Sequence, residues 1–182
     1  MANTAIFLAE GFEEIEALCP IDLLRRAGVE VKTVGIGKDK ITGAHGITVT
    51  TDMTDAEFSY DSPEMIFLPG GMPGTLNLAA SDTVISAIKK AAAENAYIFA
   101  ICAAPMILGE MGLLKGKEAI CYPGFEDKLD GAKISESTVV LDGRIATAKG
   151  MGVALEFGLL AVSVLCGEDA AKDLRSAVIA DR

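Results

Sequence analysis

The chain has 182 residues, 51% hydrophobic but only 5% aromatic, enough for a single domain over residues 1–182 that buries a full sheet with helices on both faces. Its 26 acidic residues outnumber 16 basic ones for a net charge of −10, and the basic residues are scattered or merely paired (Arg25-Arg26, Lys89-Lys90), which excludes nucleic acid and anionic membrane as partners. The longest uncharged apolar stretch, Tyr97 to Gly109, is shorter than the roughly 18 residues of a spanning helix, and Met1-Ala2-Asn3-Thr4 carries no signal-like basic region, so the expectation is a cytoplasmic protein without a membrane segment.

Thr4 to Ala9 reads as a first strand, bounded by Glu10-Gly11. A helix follows from Glu13 to Ala27, because Ile15, Leu18, Ile21 and Leu24 recur on one face and Gly28 stops it. Val29 to Gly35 forms a second strand, Lys38 to Asp52 a β-ribbon with alternating Ile47 and Val49, and Met65 to Leu68 a third buried strand closed by Pro69-Gly70-Gly71. Ser81 caps a helix running to about Asn95, with Val84, Ile85 and Ile88 facing inward. Tyr97 to Ile101 then runs straight into Cys102 and the small residues Ala103-Ala104-Pro105, which open a helix ending near Gly112. Beyond it come strands at Glu118 to Cys121, Thr138 to Leu141 and Arg144 to Ala148, the last two around the turn Asp142-Gly143, and a final long helix from Val153 to Cys166.

Alternating strands and helices predict an α/β fold with a mostly parallel sheet covered on both faces, its core built from Ala, Val, Ile and Leu. In such folds functional groups gather at the carboxyl ends of the strands. That rule brings together Glu10 to Glu16, Pro69 to Gly74, and Cys102.

The strand-to-helix turn at Cys102 has the form of a nucleophile elbow, with Ala100 and Ala104 small enough to avoid collision across it. A buried structural cysteine is the competing reading. The helix start that follows offers N–H groups that favour a thiolate. Cys19, Cys121 and Cys166 read instead as buried and structural, and with no C-x-x-C pair and one histidine the four cysteines suggest neither a metal site nor disulfides. Gly70-Gly71 could lend an N–H to a developing oxyanion, with Ala103 as second donor, although tight turns also use glycine. Glu13, Glu14 and Glu16 all lie at the start of the first helix. One that turned inward beside the cysteine would have a raised pKa and could exchange protons with it, and local sequence does not choose among the three. His45, in the ribbon, lies away from the strand ends, so a Cys-His protease dyad is absent within one subunit.

The segments Gly11-Phe12-Glu13-Glu14-Ile15-Glu16, Ile21-Asp22-Leu23-Leu24-Arg25-Arg26-Ala27-Gly28, Leu68-Pro69-Gly70-Gly71, Ala100-Ile101-Cys102-Ala103-Ala104-Pro105 and Glu156-Phe157, in that order, resemble the DJ-one branch of the ThiJ/PfpI family over nearly the full length. The resemblance implies a flavodoxin-like three-layer sandwich, a homodimer, and an oxidation-sensitive cysteine matching Cys102. It also implies that Glu16 hydrogen-bonds that cysteine, that Arg26 approaches the site at the dimer interface, and that His45 lies where it could approach the partner's site.

Two positions depart from the pattern. Glyoxalase- or deglycase-active relatives carry a histidine where this chain has Tyr122, which can donate a hydrogen bond but is a poor base near neutral pH, and the protease-like branch has a histidine where this chain has Ala103. The expected function is therefore a cofactor-independent glyoxalase- or deglycase-like enzyme, a hydro-lyase or hydrolase but no protease, acting on small reactive carbonyls of the methylglyoxal class. Cys102 is its nucleophile and Glu16 its proton shuttle, with no metal. The alternatives are a redox-sensing or protective protein in which Cys102 is oxidised to a sulfinate, and a scaffold with little activity of its own.

Overall fold

A computed structural model describes residues 3–180, so Met1 and Ala2 of the amino-terminal reading lie outside the described residues. The chain runs β1 (Asn3–Leu8), α1 (Glu14–Arg26), β2 (Glu30–Gly35), β3 (Lys40–Thr42), β4 (Thr48–Thr50), β5 (Met53–Thr54), β6 (Met65–Leu68), α2 (Gly74–Ala79), α3 (Asp82–Ala93) and β7 (Tyr97–Ile101). It continues through α4 (Pro105–Glu110), β8 (Glu118–Ala119), β9 (Lys133–Ile134), β10 (Val139–Asp142), β11 (Ile145–Ala148), α5 (Ala154–Cys166) and α6 (Glu168–Ala177). Seven strands form the main sheet in the order β10-β11-β7-β6-β1-β2-β5, and every neighbouring pair is parallel except the β10–β11 hairpin. This is the flavodoxin-like three-layer arrangement.

The two layers of helix follow from the alternation of side chains along each strand. Ala5 and Phe7 of β1, Ile66 and Leu68 of β6, and Ile98 and Ala100 of β7 pack beneath α2, α3 and α4. Ile6 and Leu8, Met65 and Phe67, and Phe99 and Ile101 pack on the other face against α1, α5 and α6. Because both faces are covered, the stretches Ala5 to Leu8, Met65 to Leu68 and Ile98 to Ile101 are apolar throughout.

The core is mostly Ala, Val, Ile and Leu, as expected, with an aromatic centre added. Five of the seven phenylalanines are fully buried, and Phe67, Phe99 and Phe157 pack together with ring centroids 4.9–6.1 Å apart. Truncating a buried phenylalanine to alanine generally costs about 3–5 kcal/mol, so this trio is a principal tie between the sheet and α5.

Ser81 caps α3 by accepting the Val84 N–H, as its position implied. β8 is shorter than expected and lies outside the main sheet, paired in parallel with β9, because the next N–H groups leave the ladder: Ile120 donates to the Thr147 side chain and Tyr122 to the Cys102 carbonyl. Cys166, read as buried, is exposed at the end of α5. Short α2 and β5, and the polar helix α6, lack a long apolar stripe and leave little trace in the residue pattern. No described helix is long and apolar enough to cross a membrane.

Candidate active site

Cys102 occupies the turn between β7 and α4 with φ +64°, a left-handed conformation uncommon for a residue with a side chain. Its backbone is held on two sides: its N–H donates to the Ala148 carbonyl at the end of β11 (2.9 Å), and its own carbonyl accepts from Tyr122 N–H (2.8 Å). Such a strained position persists only when its surroundings over-determine it. The thiol remains half-buried.

The three glutamates separate cleanly. Glu13 caps α1, its Oε2 accepting the Glu16 N–H at 2.7 Å. Glu14 is buried but turns toward the ribbon, accepting His45 N–H at 2.7 Å and meeting His45 Nδ1 at 2.8 Å. Glu16, 1% exposed, turns inward and shares a hydrogen bond with Cys102. Its carboxyl also accepts the N–H of Gly70 at 3.0 Å and the N–H of Met151.

Gly70 has to be glycine for a local reason. A β-carbon there would lie 2.6 Å from Cβ of Cys102 and 2.6 Å from Oε2 of Glu16. The next residue, Gly71, has φ +89° and turns its N–H to the Cys102 sulfur, where the N–H of Ala103 also donates. Both expected oxyanion donors therefore face the thiol itself in this state, while the Gly70 N–H serves the carboxyl.

Burial pushes the Glu16 carboxyl up to about 7, opposed by its bond to Cys102, reinforced by the charge of Glu13, and opposed again by the N–H donors of Gly70 and Met151. Burial likewise pushes the Cys102 thiol up to about 12, the Glu16 carboxylate adds to the rise, and the Gly71 and Ala103 N–H groups oppose it. This corrects the expectation of a thiolate favoured by the helix start. The helix α4 has only six residues and begins three positions beyond Cys102, so its dipole is weak where desolvation is strong. The two groups titrate as a pair that holds one proton between them above neutrality. When that proton sits on Glu16, the carboxylic acid donates to the sulfur and supports the thiolate; when it sits on sulfur, the carboxylate opposes a second ionisation.

The remaining expected residues lie farther out. Tyr122 is 51% exposed at the rim, where its ring and the Glu16 carboxyl flank Gly150, and its hydroxyl makes no hydrogen bond among the described residues. The Arg26 guanidinium pairs with Asp22 at 2.7 Å, in the last turn of α1, about 15 Å along the helix from Glu16. His45 makes its side-chain bond to Glu14 and none to Cys102 or Glu16 among the described residues. Neither Arg26 nor His45 completes the Cys102 pocket within one chain. The Gly150-Met151 turn after β11 is a contributor that sequence reasoning missed, although it too follows the carboxyl end of a strand.

With this geometry in place, the comparisons are specific. The model of the DJ-1/PfpI family matches residues 2–164. The chain belongs to the DJ-1/PfpI family. It is 33% identical over 179 residues to the Parkinson disease protein 7 homolog of Danio rerio, covering 96% of this chain and 95% of that one. It is 31% identical over 147 residues to a protein of Pyrococcus abyssi named as a deglycase, covering 79% of this chain and 87% of the other. Among solved structures, Toxoplasma gondii DJ-1 in an oxidized form superposes with a TM-score of 0.94 at 31% identity, covering 98% of both chains. Members of the DJ-1/PfpI family thus include a protein named as a deglycase, which makes an enzyme plausible here.

Proposed function

We propose that the protein is a cofactor-independent glyoxalase- or deglycase-like enzyme acting on small reactive carbonyls of the methylglyoxal class. The observation that carries this reading is the hydrogen bond between the buried Glu16 carboxyl and Cys102, with N–H donors from both sides at the sulfur. The likeness to a protein named as a deglycase supports the same chemistry.

In the proposed reaction the Cys102 sulfur bonds to the aldehyde carbon, and the carbonyl oxygen takes up a proton to give a hemithioacetal. Glu16 then removes the hydrogen of that carbon as a proton and returns it to the adjacent ketone carbon, through an enediol. The resulting thioester is cleaved by water, which releases lactate and restores the thiol. The sum is methylglyoxal plus water to lactate, an internal redox exchange between adjacent carbons that calls for no cofactor. Tyr122, at the rim, is placed to contact the carbonyl substrate as a hydrogen-bond donor rather than a base. The test is lactate formation from methylglyoxal by the wild type, Cys102→Ala and Glu16→Gln: the reading requires both variants to lose at least ~100-fold of the rate, and equal rates would overturn it.

A second reading rests on the Gly71 and Ala103 N–H groups at the sulfur, which would equally hold a sulfinate. The oxidized form of the Toxoplasma gondii relative supports it. Intact mass after mild peroxide should then show two added oxygens on Cys102 before Cys19, Cys121 or Cys166 reacts, and unselective oxidation would argue against it. We further propose a homodimer, supported by the exposed apolar residues Ile15, Ile47, Met151 and Leu155 around α1, the ribbon and the start of α5. Light scattering reads its mass directly.

A further inference from the structure

Glu13, Gly70 and Glu16 close a ring of three hydrogen bonds beside the thiol. The Glu13 N–H donates to the Gly70 carbonyl at 2.9 Å, the Gly70 N–H donates to Glu16 Oε2 at 3.0 Å, and the Glu16 N–H donates to Glu13 Oε2 at 2.7 Å. Each residue gives one bond to the next and takes one from the last. We infer that Glu13 is a positioning residue for the Cys102–Glu16 pair: it locks the Glu16 carboxyl to the turn that presents the Gly71 N–H, and it keeps a negative charge beside that carboxyl. This role rests on the reading of Glu16 as the proton shuttle.

An ordinary helix cap would need less. Serine, threonine, asparagine and aspartate are the favoured residues at that place, and Ser81 caps α3 in this same chain. Glu13 instead caps α1 through the N–H of Glu16, the residue whose carboxyl meets the thiol. Glu16 is thereby held at both ends, its backbone by Glu13 and its carboxyl by Gly70. The turn is held just as closely. Gly70 is engaged through both its N–H and its carbonyl, and a β-carbon on Gly71 would lie 2.3 Å from the Glu13 nitrogen. A shift of Glu13 therefore moves the acid and the Gly71 donor together relative to the sulfur, and in a closed network the loss of one bond weakens the others.

The charge of Glu13 acts on the same pair. Burial is the main cause of the raised Glu16 carboxyl, and Glu13 is the neighbouring charge that adds to the rise. The other ionisable groups that face Glu16 are Cys102 across Gly70 and Tyr122 beyond Gly150, while Glu14 turns away to His45. Without the Glu13 charge the pair sheds its first proton at a lower pH, and Glu16 becomes a weaker acceptor for the proton it carries.

Wild type, Glu13→Asp, Glu13→Ser and Glu13→Ala test this role, each read by the pH profile of Cys102 alkylation with iodoacetamide and by lactate formation from methylglyoxal. Glu13→Asp keeps cap and charge, Glu13→Ser keeps the cap alone, and Glu13→Ala keeps neither. The alkylation inflection near pH 7 is expected to stay in Glu13→Asp and to move to lower pH in Glu13→Ser and Glu13→Ala. In Glu13→Ala kcat is expected to fall at least ~10-fold with KM within about twofold of wild type, and Glu13→Asp recovers most of that loss. Full recovery of both the inflection and kcat by Glu13→Ser would reduce Glu13 to a helix cap and overturn the inference, as would one inflection shared by all four proteins. Glu13→Ser and Glu13→Asp are both capped, so their comparison stands whether or not Glu13→Ala folds. If the wild type forms no lactate, the enzyme reading fails and the alkylation profiles still decide the role of Glu13.

Discussion

Cys102 and Glu16 meet across Gly70, where a β-carbon would be 2.6 Å from the Cβ of one and from Oε2 of the other. The closeness of cysteine and carboxyl thus depends on a missing side chain between them. Gly70→Ala is expected to spread the pair and to destabilise the fold by about 1–3 kcal/mol, the usual range for overpacking. Chemical denaturation reads the stability, and alkylation of Cys102 reads the pairing. A variant of wild-type stability with unchanged alkylation would contradict this role for the glycine.

The left-handed backbone at Cys102 separates two ways of removing the thiol. Alanine keeps the unfavourable conformation, which costs a residue with a β-carbon roughly 1–2 kcal/mol, whereas glycine adopts it freely. Cys102→Gly is therefore expected to be at least as stable as Cys102→Ala, against the ordinary preference for alanine. Paired thermal unfolding curves check the order.

The raised pKa of Glu16 also makes stability depend on pH. Its folded value, about 7, lies above the unfolded value near 4.5, so the folded state binds the extra proton between these limits. The contribution is fully present below pH 4.5 and is lost as the pH rises through about 7. Over that window it amounts to roughly 3 kcal/mol from a shift of this size. Glu16→Gln cannot ionise, so it should gain stability relative to wild type by that order between pH 4.5 and 8. A difference between the two proteins that stays flat with pH would show that Glu16 titrates normally.

The Glu14–His45 pair shifts in its own directions. The hydrogen bond to Glu14, then the Glu14 charge, raises His45 above its usual 6.5. Burial pushes Glu14 upward, but the side-chain and backbone bonds from His45 and the bond from Ile47 outweigh it and leave Glu14 lowered. The His45 part of the stabilisation is therefore complete below pH 6.5 and fades as the pH rises through its higher folded value. An NMR titration should place the His45 midpoint above 6.5 in the wild type and return it to the ordinary range in Glu14→Gln. An identical midpoint in both proteins would mean that the pair does not form.

Much of this was legible in the residues, because short continuous apolar strands alternating with helical patterns leave few topologies open. The elbow was readable since only small residues tolerate the turn at Cys102. Which glutamate faces the thiol was not readable locally: Glu13, Glu14 and Glu16 share one helix start, and only the tertiary placement of Gly70 and of the ribbon sends one to Cys102 and another to His45. The thiol's pKa was misjudged because the sequence shows a helix start but not how much water burial removes. Met151 escaped notice because it acts through its backbone N–H, which no side-chain pattern records.

The central claim is that the chemistry of Cys102 runs through Glu16, and the pH profile of Cys102 alkylation by iodoacetamide, followed by peptide mass, tests it most directly. In the wild type the rate should rise with an inflection near pH 7, where the pair loses its first proton and the remaining one is shared between carboxyl and sulfur. In Glu16→Gln that inflection should vanish, leaving a single rise at the alkaline pH of a buried thiol. An inflection near pH 7 that persists in Glu16→Gln, or a wild-type profile that rises only in the ordinary cysteine range near ~8.5, would contradict the account.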